Sequence, residues 1–299
     1  RRTRAYLEAT INPATGSYFL PKVTVKLFGE GEEDALVLGG YLQEAYQEAE
    51  AFSLLLQKRV KGAGFFKTLL LRRLGSSMEA GRSTITKLLG IDPDTPNDED
   101  EDDVEEQTPV EVGNQTQGVS DFKDFTDDER ASLERCLELL KEGGNNDPKL
   151  DALIGYLCGT QLSATRNWLD LGCILFSQYY DTVRWIGDEM AKRPEFAGMD
   201  IGLYAGSNRS GLWREGKFLR FDRNILKDRV RTGDLKILLG TDAASEGLNL
   251  QRLGTLINLD LPWNPTRLEQ RKGRIQRIGQ ARSEIWIANL RFRDSVEEK

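Results

Sequence analysis

The sequence runs to 299 residues, 39% hydrophobic and 30% charged, with 41 lysines and arginines against 48 acidic residues and a net charge of -7. That length holds one large or two ordinary domains, and the charge argues against a protein that coats nucleic acid by bulk positive charge. The absence of any histidine excludes histidine general-base chemistry, Ser-His-Asp triads and His-ligated metals.

Residues 1–91 read as a mainly helical segment. Few breakers interrupt Tyr41 to Val60, and Phe65–Leu74 (FFKTLLLRRL) is an apolar stretch closed by Arg72 and Arg73. A helix packed on neighbours with snorkelling arginines accounts for it. Residues 92–120 break the pattern: Asp92–Glu106 (DPDTPNDEDEDDVEE) holds no lysine or arginine and few large apolar residues. Such a stretch predicts a disordered linker or solvated insertion; mimicry of a nucleic acid is the rarer use of such a run. Order is expected to resume at Thr126, which with Glu129 fits the S/T-x-x-E capping box, opening a helix that Gly143-Gly144 ends. A second helix follows from about Asp147.

From Leu171 the texture alternates. Leu171–Ser177, Asp200–Tyr204, Leu235–Gly240, Thr255–Leu261 and Glu284–Leu290 read as strands. Tyr179–Met190, Phe221–Arg231 and Pro265–Arg277 read as helices between them. Strand–helix alternation with fully apolar strands predicts a doubly wound, mainly parallel sheet covered on both faces, and so an α/β lobe over 121–299 with its leading helices. Cys136, Cys158 and Cys173 are scattered without a CxxC pair, which points to a reducing compartment and to neither a disulfide framework nor a zinc site. No apolar run approaches the ~20 residues of a membrane span, and the first ten residues show no signal-peptide core. These features predict a cytoplasmic protein without a membrane partner.

In an open parallel sheet, ligands gather beyond the carboxyl ends of the strands. Gly240–Gln251 follows one strand with small and hydroxyl residues, and suits either a phosphate-approaching loop or an ordinary βα turn. Asn264-Pro265 is an N-cap/N1 pair opening a helix. Trp263 before it would stack on a base or, the plainer option, cover the sheet edge. On that helix Arg267, Gln270, Arg274 and Arg277 fall along one stripe, with Leu268, Ile275 and Ile278 on another. Arginines around a glutamine at the mouth of a sheet suit a polyanion, the alternative being a solvated basic face.

These residues carry a resemblance. Thr241–Gln251 (TDAASEGLNLQ) resembles helicase motif V, Gln270–Gln280 (QRKGRIQRIGQ) resembles motif VI, and Ile174–Tyr179 (ILFSQY) resembles motif IV. All three are similar to the Swi/Snf branch of superfamily-two ATPases, over roughly residues 150–299. Lys272-Gly273 pulls the likeness toward bacterial members, as do Arg1–Arg4 and Leu69–Gly75 more loosely. The resemblance implies a RecA-like C-terminal lobe that supplies Arg274 and Arg277 to the γ-phosphate, with Gln270 ordering the site. It further implies that Glu246, Gly247 and Asn249 link to ATP, and that Ser177, Gln178, Thr241 and Asp242 meet a nucleic-acid backbone, expected to be double-stranded DNA. No GxxxxGK[ST] loop occurs; Gly62–Thr68 (GAGFFKT) comes near but has Phe66 before the lysine. ATP and Mg²⁺ are therefore expected mainly on an N-terminal RecA-like lobe outside this sequence, leaving this chain inactive alone, with further proteins as possible partners. A non-hydrolysing scaffold derived from such a lobe is the alternative. An unrelated small-molecule α/β enzyme would need a GxGxxG turn, and none is visible.

Overall fold

The computed structural model describes residues 4–11, 13, 16, 23–60, 64–91, 125–163, 166–206, 208–242, 248, 250–277 and 279–296. The acidic run of 92–120 lies outside them. Among the described residues, helices α1 (Arg4–Ala9), α2 (Gly40–Arg59), α3 (Gly64–Ser76), α4 (Met78–Leu89), α5 (Asp127–Glu142) and α6 (Pro148–Ile154) come first. The strands are β1 (Thr24–Phe28), a short hairpin of β2 (Gln161–Ser163) and β3 (Arg166–Asn167), β4 (Cys173–Ser177), β5 (Ile201–Tyr204), β6 (Gly211–Arg214), β7 (Lys217–Arg220), β8 (Ile237–Thr241), β9 (Thr255–Asn258) and β10 (Glu284–Asn289). Between them run α7 (Trp168–Leu171), α8 (Tyr180–Ala191), α9 (Arg223–Thr232) and α10 (Pro265–Ile275). No described helix is long and apolar enough to cross a membrane.

Eight strands form one sheet in the order β1-β10-β9-β4-β8-β5-β6-β7, parallel from β1 to β5 and antiparallel through β6 and β7. The apolar runs explain the centre. β4, β5, β8 and β9 are buried at every position, as suits strands covered on both faces. Because side chains alternate, Cys173 and Leu175 enter one core with Ile201, Leu203, Ile237, Leu239 and Ile257. Ile174 and Phe176 enter the other with Leu238, Leu256, Ile285 and Ile287. The first core is closed by α8 and by the helical layer, through residues such as Leu42, Phe52, Leu71, Leu74 and Leu133. The second is closed by Leu226 and Val230 of α9, Leu250, and Ile275 of α10. Each such Leu or Ile stabilises by about 1.5–3 kcal/mol on burial, so the helical layer and the sheet share one core.

Several helix boundaries follow from local chemistry. Thr126 accepts from the Glu129 backbone N–H while the Glu129 carboxylate accepts from the Thr126 N–H, the reciprocal capping box expected there. Asp147 caps α6 and Asn264 caps α10, each with proline next in the helix. α10 is shorter than the sequence indicates: Gln276 leaves helical geometry at ψ 64°, so Arg277 lies past its end. Five strands lie where no strand was expected. β1 falls inside the segment read as mainly helical and pairs with β10, and the antiparallel β6–β7 hairpin turns through Glu215 and Gly216, both with positive φ. The hairpin β2–β3 completes the set.

Candidate functional site

The carboxyl end of β4 lies where the crossovers part. Its following helix, α8, packs on the first core, whereas Leu250 and Leu253 after β8 and Ile275 of α10 after β9 pack on the second. A crevice opens where connections leave by opposite faces, and the residues there are Ser177, Gln178, Thr241 and Asp260.

Asp260 is the hub. It is 2% exposed, and its carboxylate accepts from Ser177 Oγ, from Ser76 Oγ at 2.6 Å and from the Gln178 backbone N–H at 3.0 Å. Ser76 ends α3, so the helical layer reaches into the site; Ser76 and Ser77 both meet Thr182 Oγ1, at 2.7 and 2.8 Å. The buried Lys149 adds a second link, donating from Nζ to the Leu259 carbonyl at 2.7 Å. Ser177, fully buried, also accepts from the Tyr179 N–H; its hydroxyl serves this internal network.

Arg271 joins the network from α10. Five hydrogen bonds account for its five N–H donors: Nε and Nη2 to Asp242 at 2.5 and 2.6 Å, Nη1 to Asn258 Oδ1 at 3.0 Å and the Asp260 carbonyl at 2.9 Å, and Nη2 to the Asp260 carboxylate at 3.4 Å. It is 1% exposed. Burial works against its charge, but Asp242 and Asp260 outweigh that and hold its pKa above the ordinary arginine value. A buried guanidinium is tolerated only when so paired. Here it pins Asp242, directly after β8, and Asp260, just past β9, to one helix.

With Arg271 consumed, the stripe above it stands apart. Gln270 is exposed, Arg274 is half-buried, and Arg277 is exposed, with Nη1 3.5 Å from the Leu248 carbonyl. Among the described residues, Arg274 Nε is buried without a hydrogen-bond partner, and so are Thr241 Oγ1 and Gln178 Oε1. Buried polar atoms left in this state are uncommon and call for a physical reason. The turn carrying Arg277 is held by Gln280, whose amide donates to the Ile275 and Leu253 carbonyls at 2.6 and 3.1 Å. The Arg274 carbonyl accepts from the Leu250 N–H, joining the two loops again. Glu246, Gly247 and Asn249 lie outside the described residues.

Trp263 departs from the plainer expectation: it is 61% exposed rather than packed over the sheet edge. The Arg72 guanidinium lies 5.1 Å from its ring centre, and Arg73 lies 4.9 Å from that of Tyr179 while pairing with Asp181 at 3.4 Å. Spacing put Gln270 and Arg274 on one face of α10, but it did not disclose the buried contacts made by Asp260, Asn258, Arg271, Gln280 and Ser76. Arg271 had a signal: it sits between Leu268 and Ile275 at i+3 and i+7, a charge on the apolar stripe, and such a charge requires buried carboxylates.

Comparison with known proteins places this geometry. The helicase conserved C-terminal domain family matches residues 169–279. Over 124 residues the chain is 39% identical to the uncharacterized ATP-dependent helicase YqhH of Bacillus subtilis, covering 40% of this chain and 22% of that protein. Over 75 residues it is 39% identical to the RNA polymerase-associated protein RapA of Vibrio campbellii, covering 25% of this chain and 8% of that protein. The chain therefore spans less than a quarter of these relatives' length. In fold it is similar to the Hef helicase domain of Pyrococcus furiosus, with a TM-score of 0.51 at 16% identity, over 93% of this chain and 57% of that one.

Proposed function

We propose that this chain, whose residues 169–279 match the helicase conserved C-terminal domain family, is the second motor lobe of a Swi/Snf-like, nucleic-acid-dependent ATPase that moves along duplex DNA. The observation that carries the reading is the division of labour on α10: Arg271 is fully engaged by Asp242, Asn258 and Asp260, while the Arg274 Nε is buried and unpartnered at the mouth of the sheet. A guanidinium held in this way suits charge that arrives with a ligand. In the proposed cycle an N-terminal RecA-like lobe of the same protein binds ATP and Mg²⁺, which supply the transferable phosphoryl group and its counter-charge. Closure brings Arg274 and Arg277 to the γ-phosphate, with Gln270 beside them, and Glu246, Gly247 and Asn249 complete the nucleotide side.

On the nucleic-acid side, Thr241 Oγ1 and Gln178 Oε1 are buried without partners beneath the proposed path of the strand, to be reached when the strand binds, and Ser177 and Asp242 hold the loop ends that carry them. Trp263 adds an exposed ring for stacking. Backbone contacts of this kind position the lobe without reading sequence. The RapA relative's name also motivates a partner protein in a larger assembly, and the proposed setting is the bacterial cytoplasm.

The test is DNA-stimulated ATP hydrolysis by the two-lobe protein, wild type against Arg274→Ala. An arginine finger is worth roughly 10³–10⁵ in rate, so turnover should fall at least ~10³-fold with DNA binding retained. Unchanged turnover would overturn the motor reading in favour of a non-hydrolysing scaffold.

A further inference from the structure

We infer that the last turn of α3, through Arg72, Arg73 and Ser76, is a positioning element for the site: it holds the loops after β4 and β9 against each other and so sets where the α10 arginines stand. The inference rests on the motor reading above.

Ser76 has no local reason to be a serine. Its neighbour Ser77 does: it caps α4, accepting from the Ala80 N–H at 3.1 Å. Ser76 only closes α3, a place that alanine fills at least as well. Yet it is 1% exposed, and its hydroxyl meets Thr182 Oγ1 at 2.7 Å and Asp260 Oδ2 at 2.6 Å, 106 and 184 residues on. A hydroxyl has one proton to give, and a carboxylate only accepts. Ser76 therefore donates to Asp260 and accepts from Thr182, which in turn accepts from Ser77 at 2.8 Å. The donors run one way, from the start of α4 to the residue just past β9.

What lies on the other oxygen gives this relay its consequence. Asp260 Oδ2 takes Ser76 and Ser177, while Oδ1 takes the Gln178 N–H at 3.0 Å and Arg271 Nη2 at 3.4 Å. Ser76 and Arg271 thus grip one carboxylate by its two oxygens, and Arg271 lies one helical turn before Arg274 on α10. The two arginines of α3 act on the same pair of loops. At ~100° per residue, Arg72, Arg73 and Ser76 fall within about 100° of arc. Arg72 lies 5.1 Å from the ring centre of Trp263, after β9; Arg73 lies 4.9 Å from that of Tyr179, after β4, and pairs with Asp181. A second arm ends beside the first. Asp147 accepts from the Met78 N–H at 2.9 Å and caps α6, from which Lys149 Nζ reaches the Leu259 carbonyl at 2.7 Å. Apolar packing is non-directional, whereas a hydrogen bond weakens steeply when bent. This junction therefore fixes orientation as well as distance, and the helical layer becomes part of what aims α10.

The experiment is DNA-stimulated ATP hydrolysis by the two-lobe protein, comparing wild type with Ser76→Ala and Arg73→Met, each alone and on the Arg274→Ala background. Ser53→Ala is the control: Ser53 is an equally buried hydroxyl of the helical layer, but it donates to the Ala49 carbonyl of its own helix at 2.7 Å. A misplacement of about 1 Å costs up to ~10²-fold in rate. Ser76→Ala should therefore lower kcat and kcat/KM together by roughly 10- to 10²-fold, while Ser53→Ala matches wild type. On the Arg274→Ala background Ser76→Ala should cost less than ~2-fold more, because the group it positions is gone. Arg73→Met, which loosens only the Tyr179 side, should show the same pattern with a smaller loss, and it decides the matter if Ser76→Ala does not fold. Wild-type turnover in a folded Ser76→Ala overturns the inference and leaves the motor reading intact. A loss by the same factor with and without Arg274 also overturns it, since Ser76 would then serve stability alone. If Arg274→Ala itself turns over like wild type, the motor reading fails and the inference with it.

Discussion

Replacing Arg271 by methionine tests whether the α10 network organises the site. The substitution conserves bulk but removes five donors, leaving the Asp242 and Asp260 side chains, 10% and 2% exposed, beside an apolar group. Breaking a buried pair from one side costs ~3–5 kcal/mol, because the stranded charge keeps its desolvation penalty. At about 2–4 °C per kcal/mol for a domain of this order, Tm should fall by roughly 6–20 °C. Melting followed by circular dichroism reads this directly. Arg271→Met/Asp242→Asn relieves one stranded charge and should recover part of the loss, with a coupling energy of about 0.5–3 kcal/mol. A fall in Tm below ~2 °C, or strictly additive single variants, would refute the claim that Arg271 holds Asp242 and Asp260 together.

Three further outcomes are expected. Arg59 donates to both Glu129 oxygens, at 2.8 and 2.7 Å, and together with the Thr126 backbone it holds the Glu129 pKa below its ordinary value of 4.5 despite burial. That stability is present above pH 4.5 and lost as pH falls through the lower folded value. Glu129→Gln should therefore flatten the acid limb of a Tm–pH curve; parallel curves for the two proteins would dismiss the pair as a contributor. Trp263→Ala should leave Tm within about 1 °C, since the ring is exposed, while weakening nucleic-acid binding by ~1–3 kcal/mol if a base stacks there; titration with a fluorescent duplex decides. Gly29 and Gly90 share a positive φ, 79° and 66°, but a Cβ on Gly29 would collide with the Asn289 carbonyl while one on Gly90 meets nothing within 4 Å. Gly29→Ala should thus cost clearly more than Gly90→Ala, which bears only the ~1–2 kcal/mol of backbone strain. Equal melting temperatures would contradict that packing.

What the sequence disclosed followed from period and local chemistry. CILFS, ILLGT and TLIN announce buried strands because nearly every position is apolar or small and none is charged, and Thr126–Glu129 announces a helix start because both partners lie within one turn. β1 escaped notice because TVKLF is a five-residue edge strand with a mixed burial pattern, indistinguishable from a loop until β10 stands beside it. The β6–β7 hairpin escaped because Gly211, Arg214 and Lys217 dilute its apolar alternation. In the site, helical spacing showed that Gln270 and Arg274 share a stripe. It did not show that Arg271, one residue from Gln270, faces inward, because that depends on carboxylates 11 and 29 positions away. The serine at Ser76 was illegible for the same reason: its partner Asp260 is 184 residues on.

The pairing of β1 with β10 also sets a timetable. Thr24 and Glu284 are register partners, so on the ribosome the first of them waits while some 260 residues are added. At ~5–20 residues per second the wait is roughly 13–50 s, long beside the microseconds in which local helices form. Through that interval β1 has no strand to join. The helical layer and the inner strands can condense early, but the sheet is completed only when β10 joins β9 and takes up β1 at the edge. A fragment cut to the helicase-like segment alone would omit both partners and present the open side of β9 to solvent, a ready template for association with other chains.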